Sequence, residues 1–407
     1  MTGLIKSHFQ RAAASGPYPG DLTRILSTGM ADGAYDAISG WPSYEPTPLH
    51  DLSRLAQELG VASVLYKDEG PRFGLGSFKA LGGSYAVLVW ASRIVEEEIG
   101  ALPDFDDVRS GKYADILSGR TVITATDGNH GRSVAWGARM VGCNCRIYIH
   151  KEVSEGRKTA MEALGATVIR VDGDYDHSLE VCASDASAHG WQVISDTSYD
   201  GYMDLPRYVM AGYTVMATEI LQQLRGDAPT HVFVQAGVGG VAAAVCARFW
   251  QVLDNDRPRI AVVEPTRAAC LMESARTDAP AKVAIKEETV MAGLSCGEVS
   301  LLAWDILSVG ASDFLTIGEE GVGPAMRLIA TDAFGDIPVE AGESAVPGLI
   351  AAIGAAGDPA VRDAMEVGPE SRLLVIGCEG ATDRAIYDAI LAEDGSKDRV
   401  VLGLSGG

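Results

Sequence analysis

Short runs of aliphatic and β-branched residues alternate along the chain with longer stretches whose apolar positions recur every three or four residues. The first pattern predicts strands and the second helices. VLYKDEG, from Val64, reads as a strand ending in a loop, and Ser77 to Val95 as the helix behind it. TVITATDGNHG, from Thr121, is a strand entering a tight polar loop, with a helix from Arg132 to Met140. CRIYIH, Glu155 to Leu164, ATVIRVDG, Asp176 to Ala188 and WQVISD continue the alternation. A helical pattern from Tyr208 to Leu224 then leads to the strand HVFVQ, the helix VAAAVCARFW and the buried-looking strands RIAVVEP and RLLVIGCEG. Strands that are apolar throughout and separated by helices predict a mainly parallel sheet covered on both faces. Ligands of such sheets sit beyond the carboxyl ends of the strands, and the polar loops of this chain fall there.

At 407 residues the chain exceeds what one core usually fills, so two domains, or one domain inserted in another, are expected. Hydrophobic residues at 47% and charged residues at 22% suit a globular protein. The net charge of −22 argues against nucleic acid or an anionic membrane as partner. It leaves room for an anionic cofactor, because backbone amides hold phosphate without net positive charge. No apolar run approaches the roughly 18 residues of a membrane span, and MTGLIKSHFQ lacks the core of a secretory signal. Seven scattered cysteines suit a reducing, cytoplasmic setting. Cys270 and Cys296 can be a pair or two separate core thiols. No histidine has metal-ligand spacing.

Four stretches can carry chemistry. Lys79 closes Gly74-Leu75-Gly76-Ser77-Phe78-Lys79 at the start of an apolar helix. There the helix dipole and desolvation favour a neutral, nucleophilic amine. Thr126-Asp127-Gly128-Asn129-His130-Gly131 follows a strand and can offer backbone N–H groups to a carboxylate, or be an ordinary turn. Gly237-Val238-Gly239-Gly240 lies between a strand and a helix, where successive amides make an anion site. With Ala242 it also matches the permissive dinucleotide form. Cys378-Glu379-Gly380 ends a late strand and says little alone.

In this order and separation the four stretches resemble the fold-type II, tryptophan-synthase-β-like family of pyridoxal-phosphate enzymes, over about residues 45 to 390. Within it, YKDEGPRFGLGSFKALGGSYA, ATDGNHGRSVAWGA, SDTSYDGYMDLPRYVMAGYTVMATEI and MAGLSCGE are similar to the diaminopropionate ammonia-lyases. Asp127 stands where threonine and serine dehydratases carry a small residue.

The resemblance implies an α/β protein of two mainly parallel-sheet domains. Residues 1–91 and 206–407 would form a large cofactor domain and 92–205 a smaller, mobile one. It implies a homodimer. It implies that Lys79 binds pyridoxal 5'-phosphate covalently, Phe78 packs on its ring, and Asn129 bonds its phenolic oxygen. Gly237, Val238, Gly239 and Gly240 would hold the phosphate, and Cys378 would lie by the pyridine nitrogen unless Glu379 does. The substrate carboxylate would meet Ser77, Thr126, Gly128 and His130. Asp127 is expected to abstract a Cα proton. Asp196 is expected to position or protonate the β-group, with the pKa of an unpaired buried carboxyl raised. Glu340 and Glu343 are expected to cap the helix that follows them, or to border the site.

The implied reaction is α,β-elimination of ammonia from D- or L-2,3-diaminopropionate. Serine, threonine or 3-hydroxyaspartate dehydration is the alternative within the fold. A non-catalytic sensor and a nucleotide-binding dehydrogenase are the alternatives outside it, and both leave Lys79 and the Asn129 loop without a task.

Overall fold

The computed structural model describes residues 3–405 and divides into two compact units. One is Met1–Ile25, Pro46–Ser77 and Met216–Gly407, and the other is Leu26–Glu45 and Phe78–Val215. In chain order the strands are β1 (Ile5–Gln10), β2 (Leu49–Asp51), β3 (Ser63–Asp68), β4 (Thr121–Ala125), β5 (Asn144–Ile149), β6 (Thr167–Arg170), β7 (Gln192–Val193), β8 (His231–Gln235), β9 (Arg259–Pro265), β10 (Asp313–Ile317) and β11 (Arg372–Gly377).

The first unit is built on a seven-stranded sheet of order β1-β10-β9-β8-β11-β3-β2. Its five central strands run parallel, while β1 and β2 join the edges antiparallel. β8 and β10 are buried at every position, as a strand must be when helices cover both faces.

The second unit holds a four-stranded, wholly parallel sheet, β6-β5-β4-β7. Its helices meet through small residues. A Cβ on Gly83 would lie 2.8 Å from Ser133 Oγ, one on Gly137 2.7 Å from Ser84 Cα, and one on Gly212 2.2 Å from Leu81 O. Only glycine lets the backbones approach so closely. This packing ties the helix Lys79–Ile99 and residues 206–215 to the second unit, whereas the sequence expectation drew the smaller domain at 92–205.

Candidate active site

Phe78 and Lys79 open the second unit's 21-residue helix Lys79–Ile99. Phe78 is buried and meets the Tyr213 ring edge-on at 4.7 Å. The Lys79 ammonium lies over the Phe78 ring, 5.4 Å from its centre, and donates to Asp196 Oδ2. Lys79 and Asp196 side chains are 21% and 16% exposed, so the pair is shielded yet reachable. Burial alone would raise the Asp196 carboxyl. Lys79 holds it below the ordinary carboxylate range instead. This corrects the expectation of an unpaired acid with a raised pKa, because sequence gave no sign that Lys79 and Asp196 meet.

The segment carrying Asp196 is held by its own neighbours. Ile194 N donates to Ile123 O at 2.8 Å, extending the β4–β7 pairing by one residue. The Tyr202 hydroxyl accepts from Ser195 N at 3.0 Å and donates to Val193 O at 2.9 Å. Tyr202 was missed in the sequence. A tyrosine after a short strand carries no signal that its hydroxyl reaches back seven residues.

At the end of β4 the chain makes a turn shorter than expected. The helix begins at Asn129, not Arg132, and its N-cap is Gly128 at φ 156° and ψ −76°, a conformation open only to glycine. Asn129 and His130 therefore sit on the first helical turn. Thr126 Oγ1 accepts from Gly128 N at 3.0 Å and Gly131 N at 3.4 Å, and Thr126 N donates to Tyr148 O. Asp127 is partly exposed, and its carbonyl accepts from Arg157. His130 is buried, with Nε2 2.9 Å from Ile194 O and Nδ1 4.0 Å from Asp196 Oδ2.

In the first unit, β8 runs into the glycine turn. Gly239, at φ 97°, is the N-cap of the helix Gly240–Leu253, and no side chain caps it. The turn is closed on one side. A Cβ on Gly237 would meet Cys296 Sγ at 2.9 Å and Gly293 O at 3.1 Å. Cys270 Sγ lies 3.6 Å from Gly237 O, and both cysteines are free thiols. Beneath them Glu264 is buried and accepts from Leu271 N and Met272 N, and burial pushes its carboxyl up to about 8.

Beyond β11, Cys378 Sγ donates to Ser344 O at 3.1 Å and Glu379 Oε1 accepts from Ser344 N at 3.0 Å. Ser77 is buried and forms an antiparallel bridge with Glu379. Glu343 is also buried here, whereas Glu340 pairs with Arg384 at the surface. Neither caps the helix Pro347–Gly357, whose N-cap is Val346 without a side-chain bond. Pro347 at its first turn has no N–H to satisfy.

Residues 41–379 match the family model described as pyridoxal-phosphate dependent enzyme. The diaminopropionate ammonia-lyase of Escherichia coli K12 is 34% identical over 381 residues, 92% of this chain and 94% of that one. The chain belongs to the pyridoxal-phosphate-dependent enzymes, in the diaminopropionate ammonia-lyase family. A crystal structure of the Escherichia coli enzyme in complex with D-serine superposes with a TM-score of 0.84 at 32% identity, covering 95% of this chain and 96% of that one. Tomato threonine deaminase, at 20% identity and a TM-score of 0.71 over 94% and 92% of the two chains, shares the fold. The fold is therefore type II, as the sequence implied.

The residues of this pyridoxal-phosphate enzyme fit its cofactor. A lysine amine stands at the head of a buried helix, and a glycine turn at a long helix's N-terminus has no side-chain acceptor, which is where a phosphate is favourably held. No group of three or more metal-ligating side chains occurs among the described residues, and none of their helices is long and apolar enough to cross a membrane.

One feature of the first unit lay outside the sequence reading. Lys67, Glu69, Arg72 and Glu219 are fully buried together. Arg72 bonds Glu69 and Glu219 at 2.7 Å each, and Lys67 bonds Glu219 at 2.7 Å and Thr47 O at 2.8 Å. Two cations balance two anions. The network braces residues 67–72, from which the chain runs through Gly74 and Gly76 to Ser77. Glu219 joins from a distant helix, so spacing along the chain could not reveal it.

Proposed function

We propose that the protein eliminates ammonia from 2,3-diaminopropionate, giving pyruvate and ammonia. Support comes from the family and from one observation above all, the Lys79–Asp196 pair beside His130. It sets an amine, a carboxylate and an imidazole together in a partly shielded place.

Lys79 would hold pyridoxal 5'-phosphate, with Gly237 to Gly240 for its phosphate, Asn129 for its phenolic oxygen, Phe78 for its ring and Cys378 for its pyridine nitrogen. When bound, the cofactor supplies the electron sink that acidifies the substrate's Cα–H bond. With its amine free and neutral, Lys79 would take the Cα proton of one enantiomer, and Asp127, from a different element, that of the other. Asp196 receives the β-amino group. An ammonium there replaces the Lys79 ammonium with one of equal charge. Ser77 and the first turn at Thr126, Gly128 and His130 orient the carboxylate. The free thiols suit a reducing, cytoplasmic setting, and a homodimer is the assembly to check by light scattering.

The test is turnover. Purified protein with pyridoxal phosphate should show a band near about 410–430 nm, expected of a lysine-bound cofactor. It should release pyruvate from D- or L-2,3-diaminopropionate. A second reading, dehydration of a hydroxy amino acid, draws on the D-serine held by the Escherichia coli relative. Turnover of serine or threonine alone would favour it. No band after cofactor is added would refute both.

A further inference from the structure

His130 Nε2 lies 2.9 Å from the carbonyl oxygen of Ile194. A carbonyl only accepts, so Nε2 carries the proton and Nδ1 presents a bare lone pair. Nδ1 is buried, has no hydrogen-bond partner among the described residues, and faces Asp196 Oδ2 at 4.0 Å. Two acceptors, one of them anionic, thus confront each other across a gap too long for a hydrogen bond and with no proton of their own to share.

We infer that His130 Nδ1 and Asp196 Oδ2 form a two-acceptor seat for the substrate's β-ammonium group, which makes His130 a specificity-determining residue. This rests on the Asp196 role proposed above. An ammonium nitrogen about 2.9 Å from each acceptor spans such a gap and gives each a hydrogen. A β-hydroxyl has one hydrogen. It satisfies one acceptor and leaves the other buried and unpaired, which is how a polar site rejects an analogue lacking a donor. Burial lowers the imidazole's pKa despite the opposing pull of Asp196, which keeps the lone pair available near neutrality. In the present structure the Lys79 ammonium already rests on the same oxygen, so the carboxylate is shaped for such a guest.

Two variants separate the ring's two edges. His130→Gln keeps a donor toward Ile194 and removes the Nδ1 acceptor, while His130→Asn places an amide oxygen near the Nδ1 position. For wild type and both variants, kcat/KM for diaminopropionate is compared with that of D-serine, as substrate or competitive inhibitor. The Gln variant should lose kcat/KM for diaminopropionate by at least about 10-fold more than it loses that for serine, mainly through KM. The Asn variant should retain more of the preference for diaminopropionate. Equal losses on both ligands, or an unchanged ratio, would overturn the inference. A second readout needs no turnover. In Lys79→Ala protein without cofactor, ethylammonium should shift the ¹⁵N signal of His130 Nδ1, and should not in Lys79→Ala/Asp196→Asn protein. No shift in the first, or the same shift in both, would also overturn it. Wild type inert toward diaminopropionate would instead defeat the proposed function, and the ethylammonium titration would still decide whether the seat exists.

Discussion

At the scale of single residues, Asp196 is the group whose neighbours define it. Paired with Lys79, it carries a pKa below its ordinary 3.8. Its contribution to the stability of cofactor-free protein is complete above that value and lost as pH falls through the lower folded one. Asp196→Asn should lower kcat/KM for diaminopropionate by about 100-fold or more, and steady-state kinetics on folded protein checks this. Tyr202→Phe removes the hydroxyl that clasps Val193 and Ser195. About 1–3 kcal/mol of stability should go with it, read as a lower denaturation midpoint. Glu264 has the opposite pH sign from Asp196. Its folded pKa is raised from 4.5 to about 8. Between those values the unfolded chain ionises first, so this group's contribution falls as pH rises toward 8 and then levels off. Glu264→Gln should remove that part of the slope in a series of thermal melts.

At the scale of elements, the second unit depends on glycine where helices touch. Gly212→Ala would set a Cβ 2.2 Å from the Leu81 carbonyl oxygen. A backbone atom cannot turn aside as a side chain can, so the loss should reach or exceed the roughly 1–3 kcal/mol typical of overpacking. Chemical denaturation measures it. In the first unit, Arg72→Met would leave Glu69 and Glu219 short of a buried partner, at about 3–5 kcal/mol. Much of this architecture was legible. The apolar runs at Ser63–Asp68, Thr121–Ala125, Asn144–Ile149, His231–Gln235, Arg259–Pro265 and Arg372–Gly377 are strands as read. β1, β2 and β10 were not read. The first two are short or half-polar antiparallel edges, and DFLTI follows a helix almost as apolar as itself. WQVISD gave only Gln192–Val193, because the chain turns there toward Asp196.

At the scale of the whole molecule, chemistry-bearing motifs were easier to read than the partition into units. Lys79, Asn129 and the Gly237 turn follow strand ends in a recognisable order, and local chain geometry demands their glycines. The unit boundary at Phe78 depends instead on which helices pack together, and the Lys79–Asp196–His130 grouping joins residues far apart in sequence. Periodicity encodes neither. The central claim is that Lys79 carries the cofactor of an ammonia-lyase, and one measurement meets it directly. Enzyme saturated with pyridoxal phosphate is reduced with borohydride, digested, and the phosphopyridoxyl group located by mass spectrometry. The expected result is a single modified peptide bearing the group on Lys79. The group on Lys67 or any other lysine, or no stoichiometric labelling at all, would contradict the account.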